Sequence, residues 1–289
     1  MKSEIIIRLL TISSLAGLLG AVGLRLTFKE VIESVRRCRF GLILAMNFVA
    51  VPLLCTAVAR VLSIPREFTI AMILLGAAPF APVVPVFARM ARADLSLAAG
   101  LTSIYPLISA ILTPLVCKLV LGGLVGGEPI QFSFGVVGLT LGATITLPLL
   151  LGVGLNQIAP AFARLLLRPM EIASEAAGAV SLGFVTIVEF SSIIHMGGTV
   201  MIATAAIFEI SLAAGYWLGG TGAASRRVVA LGTSNRNIAL ALLVALQSFP
   251  GTPVVSAVVG NGLLLILLGL VHVGYWRLWR DRKLSATDR

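Results

Sequence analysis

The chain consists of nine apolar runs separated by turn and charged residues. Each run has about the twenty residues that a helix needs to cross roughly 30 Å of hydrocarbon. A membrane β-barrel would instead show alternating segments of about ten residues. The pattern therefore predicts an all-α polytopic membrane protein with about nine transmembrane helices. The predicted crossings are residues 5–26, 40–62, 68–88, 95–119, 132–155, 172–194, 197–218, 228–249 and 253–275.

Two of the predicted crossings contain helix-breaking residues. The third holds Pro79, Pro82 and Pro85, and each proline removes a backbone donor and clashes with the preceding turn. The eighth contains ALGTSNRNIALAL, residues 230–242, whose short polar side chains compete for backbone hydrogen bonds. We expect both helices to break. Irregular backbone at membrane depth persists only where protein or a watery cavity satisfies it, so the two breaks should be buried together.

The places of the two breaks predict an internal repeat. The third crossing is next to last among the first four, and the eighth is next to last among the final five. The third and eighth crossings would be equivalent helices of two repeats. They are an odd number of crossings apart, so the two repeats would be inverted in the membrane. Paired interruptions in inverted repeats point to a transporter site at the midplane.

Composition and charge support a membrane location. Hydrophobic residues make up 58% of the chain and charged residues 12%, whereas about a quarter of the residues of soluble proteins are charged. The net charge of +10 does not indicate nucleic acid, because the basic residues cluster in alternate loops. The cytoplasmic loops are those at Arg36, Arg89, Arg164, Arg226 and Arg277. The chain is therefore expected in the cytoplasmic membrane with its N-terminus outside and its C-terminus inside.

Motifs of catalysis and metal binding are absent from the sequence. There is no Gly-x-Ser-x-Gly elbow, His-Glu-x-x-His motif or P-loop. The three cysteines and two histidines have no metal-ligand spacing. We expect neither enzymatic activity, nor a metal, nor a cofactor.

Residues 71–116 contain a series of motifs in a fixed order. A proline-broken helix ends in a basic residue, Arg92, and Asp94 follows. A helix of small residues then contains the pairs Thr102-Ser103 and Thr113-Pro114. This series resembles the bile acid:sodium symporter family. LGTSNRNIALALL resembles the second broken helix of that family, and LLGAVGLRLTF and NFVAVP extend the similarity over nearly the whole chain.

The resemblance implies one transporter domain, residues 1–289, with two moving parts. A core of about 40–120 and 196–276 would hold the crossed broken helices, and a panel of about 5–26 and 132–194 would rock against it. A small organic anion would bind in the cleft between them. Family members have ten helices, so the resemblance implies that this chain begins at the second.

The sodium-binding groups of the family are largely replaced in this chain. The family's Ser-Asn pair falls on Val84 and Pro85, and its Glu falls on Ala230. Thr102 is retained, and the polar groups Asn47 and Ser234 replace longer ones. Because the set has lost its negative charge, the sequence argues against the usual sodium sites. The coupling ion is left open between sodium and the proton.

The candidate substrate- or ion-binding residues surround the two breaks. Hydrogen bonding to broken backbone is the alternative role for each of them. The candidates are Asn47, Thr102, Ser103, Thr233, Ser234, Asn235, Arg236 and Asn237.

Arg236 is the candidate that most needs an explanation, because a charged side chain at the bilayer centre costs at least about 2.5 kcal/mol. It could form a structural ion pair with Glu209. It could act as a fixed cation where relatives place sodium, or it could contact an anionic substrate through its planar fork. Glu209 and Glu189 are the candidate proton sites.

The predicted function is secondary transport of a small organic anion by alternating access. One alternative is a membrane sensor or binding protein that keeps the fold without transporting. The other is an exporter related to arsenite and auxin carriers. In each case the partners would be a small organic anion and the lipid bilayer.

Overall fold

The computed structural model describes residues 2–25, 27, 29, 33, 36, 38–122, 139–140, 142–188, 190–191 and 196–287. All regular structure within these ranges is helical, which confirms the predicted all-α class. The helices, in chain order, are α1 Lys2–Arg25, α2 Phe40–Ala45, α3 Val51–Val61, α4 Arg66–Gly76, α5 Val84–Met90, α6 Leu95–Gly122, α7 Leu147–Ile158, α8 Pro160–Val188, α9 Gly198–Leu218, α10 Ala223–Ser234, α11 Ile238–Ser248 and α12 Val254–Thr287. Two π-helical turns, Met46–Ala50 and Gly142–Thr146, precede α3 and α7.

Six helical segments of the described chain are long and apolar enough to cross a membrane. The apolar segments Leu9–Arg25 and Gly142–Ile158 are shorter. The count of nine crossings stays a prediction. The six long segments are Phe40–Val61, Leu95–Gly122, Pro160–Val188, Gly198–Leu218, Ala223–Ser248 and Val254–Leu278.

Both predicted breaks are confirmed. Helix α4 ends at Gly76 and α5 begins at Val84, and the intervening chain contains Pro79 and Pro82. Pro85 lies in the first turn of α5, where a proline needs no backbone partner. Helix α10 ends at Ser234 and α11 begins at Ile238.

The two breaks satisfy each other's backbone. The amide of Phe80 donates to the carbonyl of Gly232 at 3.1 Å, and the amide of Asn237 donates to the carbonyl of Ala78 at 2.7 Å. The Thr113 hydroxyl of α6 donates to the Ala77 carbonyl at 2.6 Å. Protein groups thus replace the water that the broken helices would otherwise need.

Helices α1, α7 and α8 pack closely on one another. Gly17 of α1 faces Ser174 of α8, and no larger residue than glycine fits there without a shift of the serine. Thr11 and Ser181 share a hydrogen bond of 2.9 Å across the same pair of helices. Small and polar residues therefore bring α1 and α8 into direct contact, as is usual between membrane helices.

Substitution of Gly232 tests the contact between the breaks. A Cβ at Gly232 would overlap the ring of Phe80, which is fully buried. We expect Gly232→Ala to lower the free energy of unfolding by about 1–3 kcal/mol, because an overpacked site must move its neighbours. Thermal unfolding of the purified protein in detergent measures the change.

The matched control is Gly154→Ala, because an added Cβ there meets no atom within 4 Å. This variant should unfold at the wild-type temperature or slightly above it, since alanine favours helix. Equal effects of the two substitutions would contradict the close contact at Gly232.

Candidate functional site

Arg236 lies in the break between α10 and α11, and its side chain joins three parts of the chain. Its Nη1 donates to Asn47 Oδ1 at 3.1 Å and to the Gly76 carbonyl at 3.2 Å. Gly76 is the last residue of α4, where carbonyls lack helical partners and carry the negative end of the helix dipole. Since Arg236 is only 4% exposed, the contact is shielded from solvent. The guanidinium of Arg236, which belongs to the second broken helix, therefore caps the C-terminal end of α4 in the first broken helix.

Asn47 is the neutral partner of Arg236 and is itself fully buried. It lies in the π-helical turn Met46–Ala50, a distortion that is frequent at functional sites. Its Nδ2 lies within hydrogen-bonding distance of the Ile43 carbonyl at 2.9 Å and of Thr233 Oγ1 at 3.3 Å. These hydrogen bonds orient the side-chain amide of Asn47, because its Nδ2 donates on one side and its Oδ1 accepts from Arg236 on the other.

Tyr105 completes this network and was not predicted from the sequence. Its hydroxyl lies 3.4 Å from Asn47 Nδ2, and its ring stacks on Phe80 with centroids 4.0 Å apart. Phe80 has a left-handed backbone, with φ of 56°. The signal in the sequence was the position of Tyr105 two residues after Ser103, in the small-residue helix.

The other predicted residues mostly bind backbone. Ser103 Oγ donates to the Ala99 carbonyl at 2.6 Å, and Ser234 Oγ donates to the Ala230 carbonyl at 2.9 Å. Asn237 Oδ1 accepts from the Leu240 amide at 3.0 Å and caps α11. Side-chain hydrogen bonds join two groups of the predicted residues, namely Asn47 with Thr233 and Arg236, and Asn235 with Ser234.

Besides Arg236, whose Nη2 makes no hydrogen bond, two predicted residues keep a buried polar atom without a partner. These atoms are Thr102 Oγ1 and Asn235 Oδ1, and both residues are about 1% exposed. Asn235 Nδ2 donates to the Leu231 carbonyl at 3.2 Å. Buried polar atoms are nearly always satisfied, so these two are candidate contacts for water or a ligand.

Of the three hypotheses for Arg236, the ion pair with Glu209 is not formed in the structure. The Glu209 carboxylate lies 3.2 Å from His272 Nε2, and its side chain is 49% exposed. Within the described residues no ion pair joins it to Arg236. The physical reason is that the Arg236 fork turns to Asn47 and Gly76, whereas Glu209 packs against α12. Glu189 lies outside the described residues.

A cleft of about 430 Å³ separates the two breaks from the α1–α8 pair. The volume lies in the range of small-molecule sites, about 300–1,000 Å³. Pro82, Asn235, Arg236 and Asn237 line it from the breaks. Thr11, Ser14, Ser174, Glu175 and Ser181 line it from α1 and α8.

The α1–α8 wall of the cleft was missed in the sequence analysis. Ser174, Glu175, Gly178 and Ser181 recur at helical spacing and so share one face of α8. That stripe of small and polar residues in an apolar helix was the available signal.

The profile of the sodium bile acid symporter family matches residues 13–209, about two thirds of the chain. This chain belongs to the sodium bile acid symporter family. The match confirms the resemblance found in the sequence. The chain is therefore an integral membrane protein of a family of transporters.

Curated relatives of this symporter-family chain include two chloroplast proteins. A probable sodium/metabolite cotransporter BASS3 of Arabidopsis thaliana is 24% identical over 273 residues, which cover 91% of this chain and 61% of the relative. A probable sodium/metabolite cotransporter BASS2 of Oryza sativa subsp. japonica is 24% identical over 281 residues, with 94% and 64% covered. The chain thus spans about three fifths of the length of these relatives.

Replacement of Asn47 tests the buried network of this symporter-family chain. Asn47→Leu removes the acceptor for Arg236 and the donor to Thr233 while keeping a similar volume. We expect the free energy of unfolding to fall by about 1.5–3 kcal/mol, the range for a hydrogen bond to a charged group. Thermal unfolding in detergent is the measurement.

Ser103→Ala is the matched control, because the Ser103 hydroxyl bonds to a carbonyl one turn away in its own helix. Its cost should be about 1 kcal/mol or less. The account of the network is contradicted if Asn47→Leu unfolds at the same temperature as this control.

Proposed function

We propose that the chain is a secondary transporter that moves a small organic anion across the cytoplasmic membrane by alternating access. The observation that carries the proposal is the 430 Å³ cleft between the two helix breaks and the α1–α8 pair. Membership of a transporter family supports it. The printed names of the relatives, sodium/metabolite cotransporters, agree with the same class of activity.

The chain is proposed to cross the membrane nine times and to move as two bodies. The panel comprises residues 5–26 and 132–194, and the core comprises residues 40–120 and 196–276. The close contact of Gly17 with Ser174 supports α1 and α8 as one rigid unit. The hydrogen bonds between the breaks support the core as the other. Rocking of the panel would expose the cleft to each side in turn, as in carriers built from inverted repeats.

The N-terminal end of α11 is proposed to attract the anion. Asn237, Ile238 and Ala239 line the cleft, so the first turn of this eleven-residue helix faces it. A helix N-terminus carries partial positive charge and free amides, which favour an anionic group. Asn235 lines the cleft beside this turn, but its unsatisfied Oδ1 is an acceptor and does not contribute to anion binding.

Arg236 is proposed to replace sodium as a fixed cation. Its Nη1 holds Asn47 and the C-terminal carbonyl of α4, so it supplies positive charge at the junction of the breaks. The positions that correspond to the family's sodium-binding Ser and Glu hold Val84 and Ala230, both fully buried. Hard oxygen ligands with negative charge are missing there, so sodium would bind poorly.

A proton is the proposed alternative as coupling ion. Glu209 and His272 form a carboxylate–imidazole pair that can exchange a proton.

Two tryptophan substitutions in α8 test whether the cleft is the transport path. Ala179 lines the cleft, so Ala179→Trp should fill it and reduce uptake at least about tenfold without a loss of folded protein. Uptake is measured in proteoliposomes with a radiolabelled organic anion, chosen from a thermal-shift screen of carboxylates and sulfonates on the purified protein.

Ala176→Trp is the matched control, because Ala176 is exposed on the same helix and does not line the cleft. It should transport at the wild-type rate. Equal rates for the two variants would contradict this path, and binding without any uptake by the wild type would contradict transport itself.

A further inference from the structure

A second and much smaller cavity lies beside Arg236. Its volume is about 20 Å³, enough for one water molecule or one monatomic ion. It is bordered by α3, α4, α9 and α12, and its polar lining consists of Cys55, Gly76, Thr204, Arg236 and Asn261. Four apolar side chains form the rest of the wall. The cavity shares Arg236 and Leu265 with the lining of the cleft, but the inference drawn from it does not depend on the proposed transport.

Two buried donors at this cavity have no partner. Arg236 Nη2 and Asn261 Nδ2 make no hydrogen bond, although Arg236 is 4% exposed and Asn261 is fully buried. The Thr204 hydroxyl hydrogen-bonds Asn261 Oδ1 at 2.7 Å, which turns the amide nitrogen to the other side. Since buried donors are nearly always paired, a bound acceptor is expected in the cavity.

Arg236 also forms no ion pair with an acid in the described part of the chain, although Glu175 lines the same cleft. Its two hydrogen-bond acceptors, the Asn47 amide and the Gly76 carbonyl, are neutral. Glu209, the acid that the sequence offers as a partner, contacts His272 instead. A buried charge among neutral and apolar groups is costly unless it is paired.

We propose that this cavity binds a monovalent anion of the size of chloride. Arg236 Nη2 and Asn261 Nδ2 would donate to the anion, and the apolar walls would exclude water. A cation is disfavoured because both orphaned atoms are donors. The volume excludes sulfate, phosphate and carboxylates. The anion would neutralise Arg236 and so steady the junction between the two helix breaks.

The first test is the anion dependence of unfolding of the purified protein in detergent. At constant sodium and ionic strength, a change from about 1 mM to about 100 mM chloride should raise the midpoint on the order of 5 °C, because a ligand of the native state stabilises it. Bromide should act like chloride, and gluconate should not. Equal midpoints in chloride and gluconate would overturn the proposal and indicate water alone.

Asn261→Asp locates the effect, because its carboxylate would supply the counter-charge from within the chain. We expect the variant to lose the chloride response while unfolding in gluconate at or above the wild-type temperature. Ser211→Ala is the control: this buried, unpartnered hydroxyl lies on α9 and does not line the cavity. It should keep the full response.

A chloride response that persists in Asn261→Asp would overturn this location. If that variant does not fold, anomalous diffraction from wild-type crystals grown in bromide decides the matter. The proposal requires a bromide peak between Arg236 and Asn261, and a blank map at that position would overturn it.

Discussion

The hydrogen bonds of the Arg236 guanidinium hold together the part of the molecule on which the candidate site depends. Two interrupted helices meet there, and each leaves backbone groups that lipid cannot satisfy. Some of these backbone groups form hydrogen bonds between the two breaks. Arg236, in the second break, donates hydrogen bonds to the last carbonyl of α4 and to Asn47. Loss of this contact would leave both a buried charge and a bare helix end.

A fixed cation at this junction has a different consequence from a bound ion. An ion that binds and leaves can bias the equilibrium between two states only by its differential affinity for them. A guanidinium tethered to the chain is present in every state and cannot carry a gradient. The junction would then be a permanent structural element, and the substrate or a proton would have to supply the driving force. The anion proposed beside Arg236 would exchange with solution, so it would stabilise this junction only while it is bound.

The sequence was sufficient to predict the breaks because their causes are local. Proline at positions 79 and 82 cannot continue a helix, and the polar run from Gly232 to Asn237 competes with helical hydrogen bonds. The small-residue contacts of α1 with α8 and the packing of Phe80 on Gly232 need the folded chain, because they depend on which helix faces which.

The partner of Arg236 could not be predicted for a similar reason. The sequence offers Glu209 as a partner because it lies in the neighbouring crossing, but the rotation of the helix turns it to His272. Asn47 is presented by a π-helical turn, which follows from no simple residue pattern. Tyr105 and Glu175 were overlooked because an apolar helix gives little indication of which face lines a cavity.

The most direct test of Arg236 as the replacement for sodium is the effect of that ion on stability. Wild-type protein and Arg236→Gln are unfolded by heat in sodium chloride and in choline chloride, so that chloride stays constant. The account predicts one midpoint for the wild type in both salts and a lower midpoint for the variant in both, since glutamine has no charge with which to hold α4. A wild type that sodium stabilises, or a variant as stable as the wild type, would contradict it.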